Sequence, residues 1–323
     1  MLSTIAAPAW GFAALIGAGR SVAQLLNKVY FGVHLRGSRL SPAPEVQRDE
    51  ELPRIGFSSA VFGVVMAVSG LTALAGIPSA PPFRDVWLMF LGSVVSQTST
   101  MLFAFAWFHG APLGYQTIVQ RCFIAAFATA GSAVLLGEPP SRLQLAAVIL
   151  LMVSAGLPLN QHVLVRGAHK LRWIWYCLAG SVVGALGPIV TRALWRSAQV
   201  PPAAGLAWRG IWIAVIGGVI LACIGFGRSR CLSGLNRPDW ICLLVTPLLG
   251  SFWYYCTVLA TKAGMPAHVQ HGLVQSIVAA LSGVFGAAVF REREIRSGPG
   301  MISLALTVGS MVLFILDPTA HPV

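Results

Sequence analysis

The stretch HGAPLGYQTIVQR, residues 109–121, sets the reading of the whole chain. It opens on the helix breakers Gly110 and Pro112 and closes on Arg121. The adjoining run CFIAAFATAGSAVLL (122–136) is almost wholly apolar. No Asp or Glu occurs between Asp85 and Glu138, so the sequence offers this cation no nearby acid. Arg121 lies about 13 Å along a helix beginning at Pro112, taking about 1.5 Å per residue. The meaning of that position depends on the surrounding solvent.

Composition decides the solvent. Of 323 residues, 56% are hydrophobic and 10% charged. A soluble protein carries about 25% charged residues, so this chain cannot cover itself with an ordinary water-facing surface. Apolar runs of about 20 residues, the length that crosses roughly 30 Å of hydrocarbon, recur throughout. They read as an all-α, multi-pass integral membrane protein, which we place in a bacterial inner membrane. The N-terminal MLSTIAAPAWGFAALIGAG lacks a basic leader region and its apolar run continues to Leu26, so it reads as a first span.

Ten spans can be drawn, at 4–27, 55–77, 86–108, 112–136, 142–160, 173–195, 205–227, 239–261, 266–290 and 297–316. Pro, Gly or charged residues bound each one. Their length and lack of strict alternation make them helices. HLRGSRLSPAPEVQRDEELPR (34–54) reads as a solvated connector and DPTAHPV as a short tail. The net charge of +12 does not signal nucleic acid, since nearly all Lys and Arg fall in loops or near span ends. The six cysteines form no CxxC pair and read as small packing residues.

The opening stretch has a second copy. Beside it stands AGMPAHVQHGLVQ (263–275), at an offset of 154 residues. Gly110 then meets Gly264, Pro112 meets Pro266 and Gln116 meets Gln270. Further on, Glu138 of LGEPPSR meets Glu292 of FREREIR, and Arg142 meets Arg296. The chain therefore divides into two five-helix units, residues 1–165 and 166–323. Five is odd, so the second unit enters the membrane from the opposite side, giving an inverted repeat.

The Gly-Glu turn followed by a small-residue-rich span, LLGEPPSRLQLAAVILLMVSAG, resembles the drug/metabolite transporter superfamily, particularly its EamA-type members. The second copy, VFREREIRSGPGMISLALTVGS, is similar but carries Arg291 in place of the glycine. The resemblance covers about residues 5–316. It implies ten helices, a central cavity between two halves, transport of a small metabolite, no enzymatic chemistry, and both termini in the cytoplasm. The distribution of Lys and Arg disagrees on the last point. The segments around 28–54, 166–172, 228–237 and 291–296 are the more basic, which puts both termini outside.

Candidate binding residues are drawn from the polar faces. A guanidinium in hydrocarbon costs several kcal/mol, so Arg121 should face the protein interior or a wet cavity. It is either structural, capped by carbonyls and hydroxyls, or an anchor for an anionic substrate. Thr117 shares its side of the helix. Gln97 sits at mid-depth in SVVSQTST (93–100), whose hydroxyls can alternatively back-bond the helix. His268, His271 and Gln275 share one face, with Gln275 at the repeat position of Arg121. No further ligand accompanies the two histidines, so a metal is not expected. Arg20 shares a face with Gln24 and Asn27. In FWYYC (252–256), Tyr254 and Tyr255 cannot both face one side, and Tyr255 is taken as the lining residue.

Other features carry blander readings. Arg192 and Arg209, near span ends, are expected to snorkel to headgroups. Glu138 and Glu292 read as caps at helix junctions, and Pro188 as a kink. Trp10, Trp107, Trp173, Trp175 and Trp240 read as interfacial anchors. These residues point to a secondary transporter of a small acidic or zwitterionic metabolite, such as an amino-acid or organic-acid exporter. It would need no cofactor and act as a monomer or homodimer among membrane lipids. The alternative is a membrane subunit or scaffold, whose deep polar residues would pair off and leave no cavity. An intramembrane enzyme is disfavoured, because no HExxH, paired Asp or Ser–His–Asp set occurs in the spans.

Overall fold

The computed structural model describes residues 9–30, 48–74, 81–109, 111, 113–166, 172–197, 200–224, 235 and 237–317. These residues form helices α1 (Ala9–Tyr30), α2 (Arg48–Thr72), α3 (Phe83–Phe108), α4 (Leu113–Leu135), α5 (Arg142–Arg166) and α6 (Arg172–Ser197). Beyond them lie α7 (Pro202–Ile224), α8 (Arg237–Lys262), α9 (Ala267–Ala288), the single turn α10 (Arg293–Arg296) and α11 (Gly298–Leu316). Among the described residues there is no strand. Eight helices, α2–α4, α6–α9 and α11, are long and apolar enough to cross a membrane. In α5 the apolar stretch is the shorter Arg142–Leu157. The outward faces carry exposed Ile149, Val215, Val219, Ile302 and Leu316. Such surfaces suit hydrocarbon, and the chain is a multi-pass membrane protein.

Local chemistry sets the helix ends. Pro82 and Pro266 precede α3 and α9, and Pro202 begins α7, where a missing N–H costs nothing. Ser297 caps α11, its hydroxyl accepting from the Gly300 amide at 3.3 Å. The expected connector 34–54 is helical from Arg48 onward, and residues 34–47 lie outside the described part. Of the expected tail, Asp317 is described, and its carboxylate accepts from the Ser141 hydroxyl.

The turns after α4 and α9 are built alike. The Glu138 amide donates to the Ser132 carbonyl at 3.2 Å, and the Glu292 amide to Gly286 at 2.9 Å. The residue before each glutamate has positive φ, Gly137 at 64° and Arg291 at 53°. Glycine adopts this conformation freely, whereas arginine does so at a cost of about 1–2 kcal/mol. The two glutamates then cross over. Glu292 Oε2 accepts from the Gly114 amide at 2.8 Å, and Glu138 Oε2 from the Ala267 amide at 3.1 Å. Each carboxylate thus satisfies orphan N–H groups at the positive end of a helix in the other half of the chain.

The principal helix pairs are α1–α8, α2–α7, α3–α6, α4–α9 and α5–α11. Every pair joins one of α1–α5 to one of α6–α11, so the two parts of the chain interlock. The closest crossing is α2 on α7. A Cβ added at Gly63 would strike the backbone nitrogen of Ala214, and one at Gly210 would strike that of Ala67. Gly70 meets Ala203 and Ala207, while Gly217 meets Gly56 and Ala60, so the two helices run antiparallel. Small residues at such a crossing let backbones approach and gain dispersion contacts that lipid would otherwise supply. Elsewhere hydroxyls join helices: Ser154 Oγ lies 2.8 Å from Thr307 Oγ1, and Ser276 Oγ lies 3.1 Å from Ser310 Oγ.

Helix α9 is innermost, with nearly every side chain from Ala267 to Gly283 buried. Tyr115, Ile118, Leu151, Leu273 and Phe314 form the main apolar core around it. Trp173, expected at the interface, is buried instead and packs edge-on against Tyr115 at 5.4 Å. Its indole fills the core where α6 begins. Trp175 and Trp240 are exposed near span ends, while the Trp10 side chain lies outside the described part.

Candidate functional site

Helices α1–α4 and α6–α9 line a cavity of about 190 Å³. Arg20, Arg121 and Arg209 reach its wall from α1, α4 and α7, and among the described residues no lining residue is Asp or Glu. The remaining lining is aromatic or neutral polar, including Trp253, Tyr254, Phe103 and Thr257. Gly184, Gly187 and Pro188 form part of the α6 wall. The expected kink proline therefore lies beside the cavity.

Arg121 is held by two amides. Its Nη1 donates to Gln275 Oε1 at 3.0 Å. With the Gln24 oxygen turned toward the guanidinium, Gln24 accepts from Nε at 3.2 Å and also from Nη2. The Gln24 nitrogen then reaches Ser282 Oγ at 3.2 Å. The opposite amide orientation would set donor against donor, so hydrogen bonding selects this one. Gln24 and Gln275 fix the fork without neutralising it.

Rings hold the other two cations. The guanidinium carbon of Arg20 lies 5.1 Å from the Trp253 ring centre, and that of Arg209 lies 5.1 Å from Tyr254. Both fall within the range of cation–π attraction. These rings are consecutive residues of α8, so the helix turns one toward α1 and the other toward α7. Arg20 Nε has no hydrogen-bond partner among the described residues.

Four expected residues come together at the cavity: Arg20, Arg121, His271 and Gln275. The other four do not. Gln97 is buried at the α2 contact, its oxygen accepting from Ser59 Oγ at 2.8 Å. Thr117 is wholly buried among packed helices one turn before Arg121. Tyr255 faces outward, 40% exposed, because one step along a helix rotates a side chain about 100° from Tyr254. His268 lies at the mouth of α9, with Nδ1 3.8 Å from Glu138 Oε2.

Two arginines depart from the snorkelling expectation. Arg209 turns inward to the cavity. Arg192 is buried, its Nε bonding Glu138 Oε1 at 3.1 Å and its Nη1 donating to the Thr261 carbonyl at 3.1 Å. Nearness to a span end does not imply snorkelling, since a helix end packed inside a bundle offers no route to headgroups. Tyr254 and Trp107, assigned elsewhere from the sequence, also line the cavity. The available signal for Tyr254 was its four-residue spacing from Gly250, which places it on the buried face of α8.

No family model matches the chain. No curated protein matches it either. Among solved structures, one described only as the crystal structure of a protein superposes with a TM-score of 0.60 at 18% identity. The match covers 94% of this chain and 97% of that one, and shows a shared fold over nearly the full length.

Proposed function

We propose that this chain is a secondary transporter of the drug/metabolite type, moving a small acidic or zwitterionic metabolite by alternating access. Its ten long helices would form two inverted five-helix repeats, residues 1–165 and 166–323, with the substrate held in the cavity between them. Matched contacts support the repeat. Gln116 Nε2 donates to the Phe103 carbonyl at 3.2 Å, and at the same 154-residue offset Gln270 Nε2 donates to Thr257 at 3.1 Å. The reciprocal caps by Glu138 and Glu292, and the antiparallel α2–α7 crossing, fit the same symmetry.

The reading is carried by a small cavity at the junction of the halves, holding three arginines and, among the described residues, no acid. Ionisable side chains within a membrane mark substrate or ion pathways and face the bundle interior. Arg121 would bind the anionic group of the substrate, with Arg20, His271 and Gln275 beside it. Rocking of one half against the other would then open the cavity to alternate sides.

A metabolite profile of cells with and without the protein tests this reading. One or a few anionic or zwitterionic metabolites should change in partition across the membrane, and an Arg121→Gln variant should markedly reduce the change. An unchanged profile, joined with no flux of such metabolites in liposomes, would reject it.

A further inference from the structure

The number of cations in the cavity says more than their sign. A single embedded arginine could be satisfied by one carboxylate, but three guanidiniums face this space. Their observed partners are all neutral: the Gln24 and Gln275 amides for Arg121, the Trp253 ring for Arg20 and the Tyr254 ring for Arg209. Amide oxygens and ring faces orient a guanidinium while leaving its full charge to act on a ligand. A monoanion bound there would leave two cations uncompensated in a low-dielectric site, where unpaired charge is costly.

Volume favours a small ligand. At about 190 Å³ the cavity falls below the roughly 300–1,000 Å³ of drug-sized sites. A short-chain organic ion matches that space. Arginine also matches carboxylate and phosphate oxygens with a planar fork.

From charge count and size together, we propose that the substrate is a small organic dianion, either a short dicarboxylate or a phosphate monoester. Arg121 receives one charged group, and Arg20 and Arg209 receive the remaining charge from the α1 and α7 sides. This inference rests on the transport reading for its physiological meaning, but dianion binding can be measured without transport.

The experiment uses purified full-length protein, first in detergent for calorimetric binding and then in liposomes for flux. The probes are succinate, glycerol 3-phosphate, butyrate and alanine. One of the two dianions should bind about ten- to a hundredfold more tightly than butyrate or alanine. The dianion that does so identifies a dicarboxylate or a phosphoester site. Arg209→Gln and Arg20→Gln, tested separately, should each reduce that preference toward unity while Arg121→Gln weakens every anion. Using two sites guards against one variant failing to fold. Tight dianion binding without flux would support the substrate class and reject the transport reading. Preferred binding and flux of butyrate or alanine would overturn the dianion proposal and leave transport standing. Absence of dianion binding would also overturn it.

Discussion

Arg121 Nη1 donates to Gln275 Oε1 at 3.0 Å across 154 residues of sequence, the offset that aligns the two proposed copies of the repeat. Repeat-equivalent residues meet only near the axis that relates them, so this contact puts the proposed axis beside the cavity. The two positions are chemically unequal: one copy supplies a cation and the other a neutral acceptor. Arg121→Gln would make them alike and remove the charge while keeping hydrogen-bond donors. The variant should fold, yet lose about ten- to a hundredfold in affinity for an anionic substrate, as removal of a charge-assisted bond of roughly 1.5–3 kcal/mol would give. Arg121→Lys should recover only part, because an ammonium lacks the planar fork. Liposome uptake checks both, and undiminished uptake by the Gln variant would remove Arg121 from the binding site.

The helices were legible because apolar runs bounded by Pro and Gly leave few alternatives in a bilayer. The cavity was legible only in part. Arg121 announces itself through depth and lack of an acid, whereas Arg209 and Arg192 both resemble end-of-span cations. Which one turns inward depends on neighbours contributed by distant segments, Tyr254 for one and Glu138 for the other. Gln97 shows the converse case, since its partner Ser59 belongs to another helix.

The α2–α7 crossing should be the most size-sensitive contact in the membrane region. A side chain at Gly63 or Gly210 meets opposing backbone, which cannot rotate away as a side-chain tip can. Gly63→Val and Gly210→Val should each destabilise by about 1–3 kcal/mol or more. Gly218→Ala faces open space and should be neutral or slightly stabilising in a helix. Thermal unfolding of the detergent-purified variants checks the contrast, and equal melting of all three would argue against the close crossing.

Glu138 joins two demands, pairing Arg192 and capping α9. Glu138→Gln leaves a buried guanidinium without its carboxylate, a loss of the order of 3–5 kcal/mol. Replacing Arg192 by Met at the same time should restore part of that stability, because the stranded charge is gone. A double-mutant cycle on melting temperature measures the coupling. Additive effects would mean that the pair contributes nothing beyond the cap.

Orientation can be weighed again from contacts. Of Arg84, Arg142, Arg192, Arg196 and Lys262, the cations of the less basic side, Arg192 is buried and tied to Glu138. A cation engaged inside the bundle contacts headgroups less, which widens the charge asymmetry. A reporter fused after Val323 should therefore be active outside the cytoplasm. Cytoplasmic activity would reverse the charge reading and agree with the topology implied by the resemblance.

The three arginines also bear on how an empty carrier turns over. Reorienting the proposed halves with the cavity unfilled would carry three cations, compensated only by amides and rings, through a closed and poorly hydrated state. A bound anion offsets that cost, so the loaded carrier should cross faster than the empty one. Uptake of labelled substrate into liposomes should then rise several-fold when unlabelled substrate is enclosed inside. Arg209→Gln should narrow the difference, since an empty cavity with one fewer cation closes more readily. Equal uptake into filled and empty liposomes by the unmodified protein would show that return of the empty carrier does not limit the cycle, and that cavity charge does not set its rate.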